Sequence, residues 1–119
     1  LDEVAIRFPR LKMVLAHLGH PWEADCAVTI RKHPNLYSDI SALHGRPWRF
    51  YQGMITAVEY GVADKLLFGS DFPFFTPEQT RDGLLGVNRL VEGTSLPRVP
   101  APVIDGILSR NPLEVLGLA

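Results

Sequence analysis

Short apolar runs, polar loops and amphipathic segments follow one another three times along the chain, and this rhythm predicts three βα units. The runs cover residues 12–16, 36–40 and 65–69, so they begin 24 and 29 residues apart. That spacing fits parallel strands joined by helical crossovers. The first run is almost continuously apolar, which is typical of a strand covered on both faces. The pattern therefore predicts an α/β fold with a parallel sheet.

Amphipathic helices are predicted after each run. Ala24, Ala27 and Ile30 form the expected buried stripe of the first helix, and Thr76 with Gln79 marks the beginning of the third as a capping box. The predicted helices are 23–33, 47–60 and 77–92, with shorter ones at 1–8, at 103–109 and from residue 111 onwards.

Composition and charge exclude several classes of protein. Twelve basic and 13 acidic side chains give a formal charge of −1, which argues against a nucleic-acid or anionic-membrane surface. No apolar run approaches the roughly 20 residues of a membrane helix. A lone Cys26 excludes an internal disulfide and a thiolate metal cluster. With no signal segment at its start, the chain is expected to be cytoplasmic, with a small molecule as its partner.

Two residues stand where reactive groups collect in parallel α/β folds, at the ends of strands. His17 ends the first apolar run and Asp71 follows the third, so both are expected to face one pocket. An imidazole there can shuttle protons or bind a metal, and an aspartate in apolar surroundings needs a cation, hydrogen bonds or a shifted pKa. The alternatives are a structural histidine and an aspartate that accepts from loop N–H groups.

Three polar residues that share one face lie at the end of the second run. Tyr37, Asp39 and Ser41 follow a period of two, and for Asp39 we favour a polar layer within the sheet over catalysis. His33 ends the first predicted helix, where a positive charge suits the helix dipole, and is expected at the surface. Cys26 is expected to be a small buried residue.

Three further side chains are candidate contacts for a substrate. His20 lies three residues after His17, and His44 lies in the loop after the second run. Trp22 and Trp48 either line the mouth of a pocket or pack in the core, and core packing is favoured. We expect His20, Trp22 and His44 to bind substrate.

The combination of a His-x-Gly motif at His17 with a Gly-Ser-Asp-Phe-Pro motif around Asp71 resembles the amidohydrolase-related metal-dependent hydrolases, a family that includes aminocarboxymuconate-semialdehyde decarboxylase. The segments that resemble the family's sixth, seventh and eighth strands and its closing helix are 8–22, 33–41, 63–73 and 111–118. The resemblance implies that residues 1–119 form one partial domain, the last three βα units of a (β/α)8 TIM barrel.

The resemblance also implies a chemistry. Asp71 matches the aspartate that binds the metal or takes the proton of the activated water, and His17 matches the histidine that polarises substrate or activates water. The cofactor implied is one divalent ion, commonly zinc. Some decarboxylases of the family have a glutamate where this chain has His20, so hydrolysis of a C–O or C–N bond is favoured. The expected substrate is a small organic acid, ester, lactone or amide.

Part of the family's metal site is missing from the sequence. That site also needs a His-x-His or Glu-x-His motif on the first strand and a histidine on the fifth, and the chain contains neither strand. We therefore expect a missing N-terminal part of the barrel or a homo-oligomer, and an inactive isolated chain. The alternatives are a non-oxidative decarboxylase of the same family and a small non-catalytic α/β binding module.

Overall fold

Three parallel strands form the sheet in a computed structural model that describes residues 1–119. The strands are β1 (Met13–Leu15), β2 (Leu36–Asp39) and β3 (Leu66–Leu67), in the order β1-β2-β3. Leu15 pairs with Ser38, and Ser38 in turn pairs with Leu66. The predicted parallel α/β arrangement is confirmed, although each strand is shorter than its apolar run.

Six α-helices accompany the sheet. They are α1 (Asp2–Arg7), α2 (Glu23–Lys32), α3 (Pro47–Glu59), α4 (Pro77–Leu85), α5 (Ala101–Ser109) and α6 (Pro112–Val115). Thr76 and Gln79 form the predicted capping box at the beginning of α4. Gly61 adopts a φ of 69° just after α3, the left-handed conformation expected of a glycine that ends a helix. None of the helices has the length and apolar composition of a membrane-spanning segment.

The core lies between the sheet and the two crossover helices, α2 and α3. Leu36 and Leu66 contribute from the sheet, Ile30 from α2, and Phe50 and Met54 from α3, all at most 1% exposed. Each such side chain contributes about 1.5–3 kcal/mol when it leaves water. This packing fixes the helices against the sheet and so positions the loops that follow the strands.

The buried face of α2 differs from the predicted stripe. Ala24 is exposed, and Glu23 and Cys26 are buried together with Ala27 and Ile30. These four buried positions follow the i, i+3, i+4, i+7 spacing of a helix face. The prediction was right for Ala27 and Ile30 and wrong for Ala24, because the buried face includes Glu23, whose carboxylate has a partner in His20.

Helix α4 ends at Leu85 and not at Glu92 as predicted. Gly83 and Gly86 lower the helix propensity of this segment by about 1 kcal/mol each, and Gly86 ends the helix. Gly83 has a second role, because a Cβ at this position would overlap the side chain of His44. The glycine thus lets α4 approach the loop after β2.

His33 is buried, although its place at a helix end predicted a surface position. It is 6% exposed, and its Nε2 lies 2.6 Å from a carboxylate oxygen of Asp2. The reason is that α1 packs across the end of α2 and brings Asp2 to both His33 and Lys32. The hydrogen bonds from these two side chains lower the pKa of the Asp2 carboxyl.

Candidate functional site

The loops that follow β1 and β3 place His17 and Asp71 at the same end of the sheet. Both strands are parallel to β2 and flank it, so the two residues follow the carboxyl ends of next-adjacent strands. Neither residue lines any of the cavities, however, so the expected shared pocket is not formed by these residues. Three strands supply only one wall of such a pocket.

The backbone at both residues is in the left-handed region that side chains rarely adopt. His17 has a φ of 56°, Leu18 a φ of 49° and Asp71 a φ of 67°. Residues held in such sparsely populated regions cost on the order of 1–3 kcal/mol each and cluster at functional sites. Ala42, in the loop after β2, has a φ of 59° as well, so the strained positions include both residues singled out from the sequence and lie in the loops after all three strands.

The imidazole of His17 is held through one nitrogen. Its Nδ1 lies 3.0 Å from the carbonyl oxygen of Ser41 and 2.8 Å from the Ser41 hydroxyl. Since a carbonyl oxygen only accepts, Nδ1 carries the hydrogen, and Nε2 has a free lone pair when the ring is neutral. No protein group contacts Nε2 in a hydrogen bond, and it is not sealed from solvent.

Asp39 connects the loops at this end of the sheet. Its Oδ1 accepts from the His17 backbone N–H at 2.9 Å, from the Ser41 N–H at 3.0 Å and from the Ser41 hydroxyl at 2.5 Å. A Cβ on Gly69 would lie 3.7 Å from the Asp39 Cβ, so the end of β3 packs against the same residue. This agrees with the polar layer favoured from the sequence. Asp39 thus links the loop after β1 to the loop after β2 through His17 and Ser41.

The carboxylate of Asp71 has no partner in the chain. It accepts no hydrogen bond and forms no ion pair, and only its backbone carbonyl accepts, from the Phe74 N–H. The alternative of an aspartate that satisfies loop N–H groups is therefore wrong. The predicted apolar crowding is also absent, because the neighbouring Phe72 and Phe74 are 75% and 80% exposed. The carboxylate is free to bind an external group.

His20 forms a close pair with a residue that the sequence did not single out. Its Nδ1 lies 2.5 Å from Oε1 of Glu23, whose side chain is only 9% exposed. The i, i+3 spacing of a histidine and a glutamate across a helix start is the signal that could have identified this pair.

The two tryptophans are exposed, which contradicts the favoured core packing. Trp22 is 67% exposed and lines a shallow cavity of about 170 Å³ together with Cys26, and Trp48 is 51% exposed. Trp48 stacks at a tilt on Tyr51 at the edge of α3. Each ring follows a proline and precedes a charged residue at the start of a helix.

His44 lies in the loop after β2, three residues beyond Ser41, and packs against Phe75. Its ring meets Phe75 edge-on at 4.5 Å, and both ring nitrogens are buried without a partner. Burial lowers the pKa of His44. The residue lines a cavity of about 330 Å³ between α3 and α4, which also contains Asp82 and Arg89.

The residues present do not complete a metal site. No three His, Cys, Asp or Glu side chains in the chain are grouped so that they could hold an ion. A catalytic zinc normally has three protein ligands and a water. Asp71 is thus a single candidate ligand rather than part of a closed set.

A comparison with protein families gives one match, which covers almost the whole chain. The family described as Amidohydrolase matches residues 1–118. Comparisons with curated proteins and with solved structures gave no match. The match includes both motifs at the carboxyl end of the sheet.

Proposed function

Since this chain belongs to the amidohydrolase family, we propose that it supplies the last three βα units of a (β/α)8 barrel whose site hydrolyses a C–O or C–N bond. The proposed substrate is a small organic acid, ester, lactone or amide. The observation that carries the proposal is the placement of His17 and Asp71 at the carboxyl ends of parallel strands. In barrels of this type the active site lies at that face.

His17 is the proposed proton acceptor. Its Nδ1–H is held by Ser41, and Ser41 is held in turn by Asp39, so only Nε2 can take a proton. When the ring becomes cationic, this chain of hydrogen bonds ends on a carboxylate and stabilises the charge. A water molecule that attacks a carbonyl group can lose its proton to this nitrogen.

Asp71 is the proposed metal ligand or second proton acceptor. Its unpartnered carboxylate supports this role, and so does its position in the loop that follows β3. The proposed cofactor is one divalent ion, probed first with zinc, and at least two further ligands have to come from outside residues 1–119.

The substrate is proposed to contact His20 and Trp22, which lie in the same loop as His17. The exposed indole of Trp22 offers an apolar face, and His20 has one ring nitrogen free of protein partners. His44 lines a separate cavity with both nitrogens buried, so any contact it makes lies away from the reacting bond.

The test is an assay of the complete reading frame that contains these residues. Esters and lactones are screened by proton release, amides by release of the amine, and carboxylic acids by evolution of carbon dioxide. Asp71→Asn is expected to lower kcat/KM for the hydrolysed substrate by roughly 100-fold or more, the size of an acid–base contribution. Asp64→Asn, a change remote from the site, is the matched control. Wild-type activity in Asp71→Asn, or carbon dioxide as the sole product, contradicts the proposal.

A further inference from the structure

A buried glutamate holds the second histidine of the loop after β1. Glu23 is the first residue of α2, and its Oε1 lies 2.5 Å from Nδ1 of His20. The only other charged group nearby is Arg49, whose guanidinium is 4.0 Å from Oε2. A carboxylate with only 9% of its side chain exposed needs a hydrogen-bond donor, and the ring N–H of His20 supplies it.

The surroundings of Glu23 fix the direction in which its carboxylate points. Helix α3 approaches closely at Gly53, where a Cβ would lie 3.4 Å from the Glu23 Cγ and 2.9 Å from a methyl carbon of Leu18. The start of α2 also favours a negative charge at this position. Glu23 is therefore a rigid acceptor and not a mobile surface side chain.

This geometry determines which nitrogen of His20 carries hydrogen. An ionised carboxylate only accepts hydrogen bonds, so the hydrogen lies on Nδ1. Nε2 has no protein partner and is not sealed from solvent, so it is the free acceptor of the neutral ring. His17 likewise carries hydrogen on Nδ1, because Nδ1 faces the carbonyl oxygen of Ser41. One short loop thus presents two imidazoles, each free at Nε2.

We propose that Glu23 is a positioning residue that holds His20 in the tautomer with hydrogen on Nδ1 and so presents Nε2 as the acceptor for a hydroxyl or N–H group of the substrate. The inference rests on the proposed function, because it assigns His20 a role toward that substrate. It deepens the proposal by naming the substrate feature that this side of the loop recognises, a hydrogen-bond donor.

The first test reads the tautomer directly. Magic-angle-spinning ¹⁵N NMR of the histidine-labelled chain needs no monodisperse sample. We expect Nδ1–H on His20 in the wild type. Glu23→Gln and Glu23→Ala should shift the tautomer ratio toward Nε2–H by roughly tenfold, the size of a charge-assisted hydrogen bond. Asp25→Asn, an exposed carboxylate on the same helix, should leave the ratio unchanged.

His17 serves as the internal reference, because its tautomer depends on Ser41 and should not respond to Glu23. Nε2–H on His20 in the wild type overturns the proposal. An unchanged ratio in both folded Glu23 variants overturns it as well. This readout needs no catalysis, so failure of the proposed hydrolysis and failure of the positioning role are separable.

The second test measures whether Nε2 of His20 is accessible to a reagent in solution. Diethyl pyrocarbonate acylates an accessible unprotonated imidazole nitrogen, and mass spectrometry locates the adduct. His20 should react several-fold faster than the buried His33 and His44. A reaction of His20 as slow as that of those two would show that Nε2 is not accessible, and that result contradicts the proposal.

Discussion

Asp39 is the residue on which the geometry of the site depends. Its carboxylate accepts the backbone N–H of His17 and both the N–H and the hydroxyl of Ser41, which in turn holds the His17 ring. Loss of this carboxylate leaves three donors without their partner. The left-handed backbone at His17 then has no compensation.

Asp39→Ala is therefore expected to lower the free energy of unfolding by roughly 2–4 kcal/mol, because donors in a half-buried position lose a charged acceptor. The measurement is a urea denaturation at fixed protein concentration. Asp105→Ala, on the exposed face of α5, is the matched control and should change stability by less than about 0.5 kcal/mol. Equal effects of the two changes would show that Asp39 does not organise the loops.

His44 makes stability depend on pH. Burial lowers its pKa below the ordinary value of 6.5, so the folded state resists a proton that the unfolded state accepts. By linkage, this contribution is complete above about pH 6.5 and is lost as the pH falls toward the lowered pKa of the folded state.

His44→Phe keeps an aromatic ring against Phe75 and removes the titration. The loss of stability between about pH 7.5 and about pH 5.5 should be smaller in this variant than in the wild type. Thermal unfolding at the two pH values measures the difference. An identical loss in both proteins would show that His44 titrates equally in the folded and unfolded states.

At the scale of elements, the period of the apolar residues and the spacing of the apolar runs predicted the strands, the crossover helices and the capping box, because these features depend on residues that are close in sequence. The errors have non-local causes. The burial of Glu23 depends on His20 and on α3, and the burial of His33 depends on Asp2, 31 residues away. Helix α4 ends early partly because Gly83 is required for the contact with His44.

Two glycines inside helices are expected to respond oppositely to the same change. Gly83→Ala places a methyl group against His44 and should destabilise the protein by about 1–3 kcal/mol. Gly106→Ala in α5 meets only one guanidinium nitrogen of Arg110, at 3.2 Å, and should stabilise the protein by about 0.4–1 kcal/mol through the unfolded chain. Midpoints of urea denaturation measure both. Destabilisation by Gly106→Ala would contradict the packing described for α5, and no destabilisation by Gly83→Ala would contradict that described for α4.

At the scale of the whole molecule, the sheet is open on both sides. Strands β1 and β3 each pair on one side only, and Val14 of β1 is 42% exposed. Unpaired strand edges template pairing with another chain. The expectation that reactive groups follow the ends of parallel strands placed His17 and Asp71 at one end of the sheet. The cavity that they were expected to share also needs residues that face them from the other side. The ring contacts of His17 could not be predicted because Ser41 lies 24 residues away.

The central proposal is that this chain supplies three of the eight strands of a barrel and part of its site, and that the remaining strands and ligands lie outside residues 1–119. Size-exclusion chromatography with metal analysis of the purified 119-residue chain tests it most directly. We expect self-association through the open strand edges and far less than one zinc per chain, because Asp71 alone cannot replace the three ligands of a zinc site. A monodisperse monomer that carries one tightly bound zinc, lost in Asp71→Asn, would contradict the account.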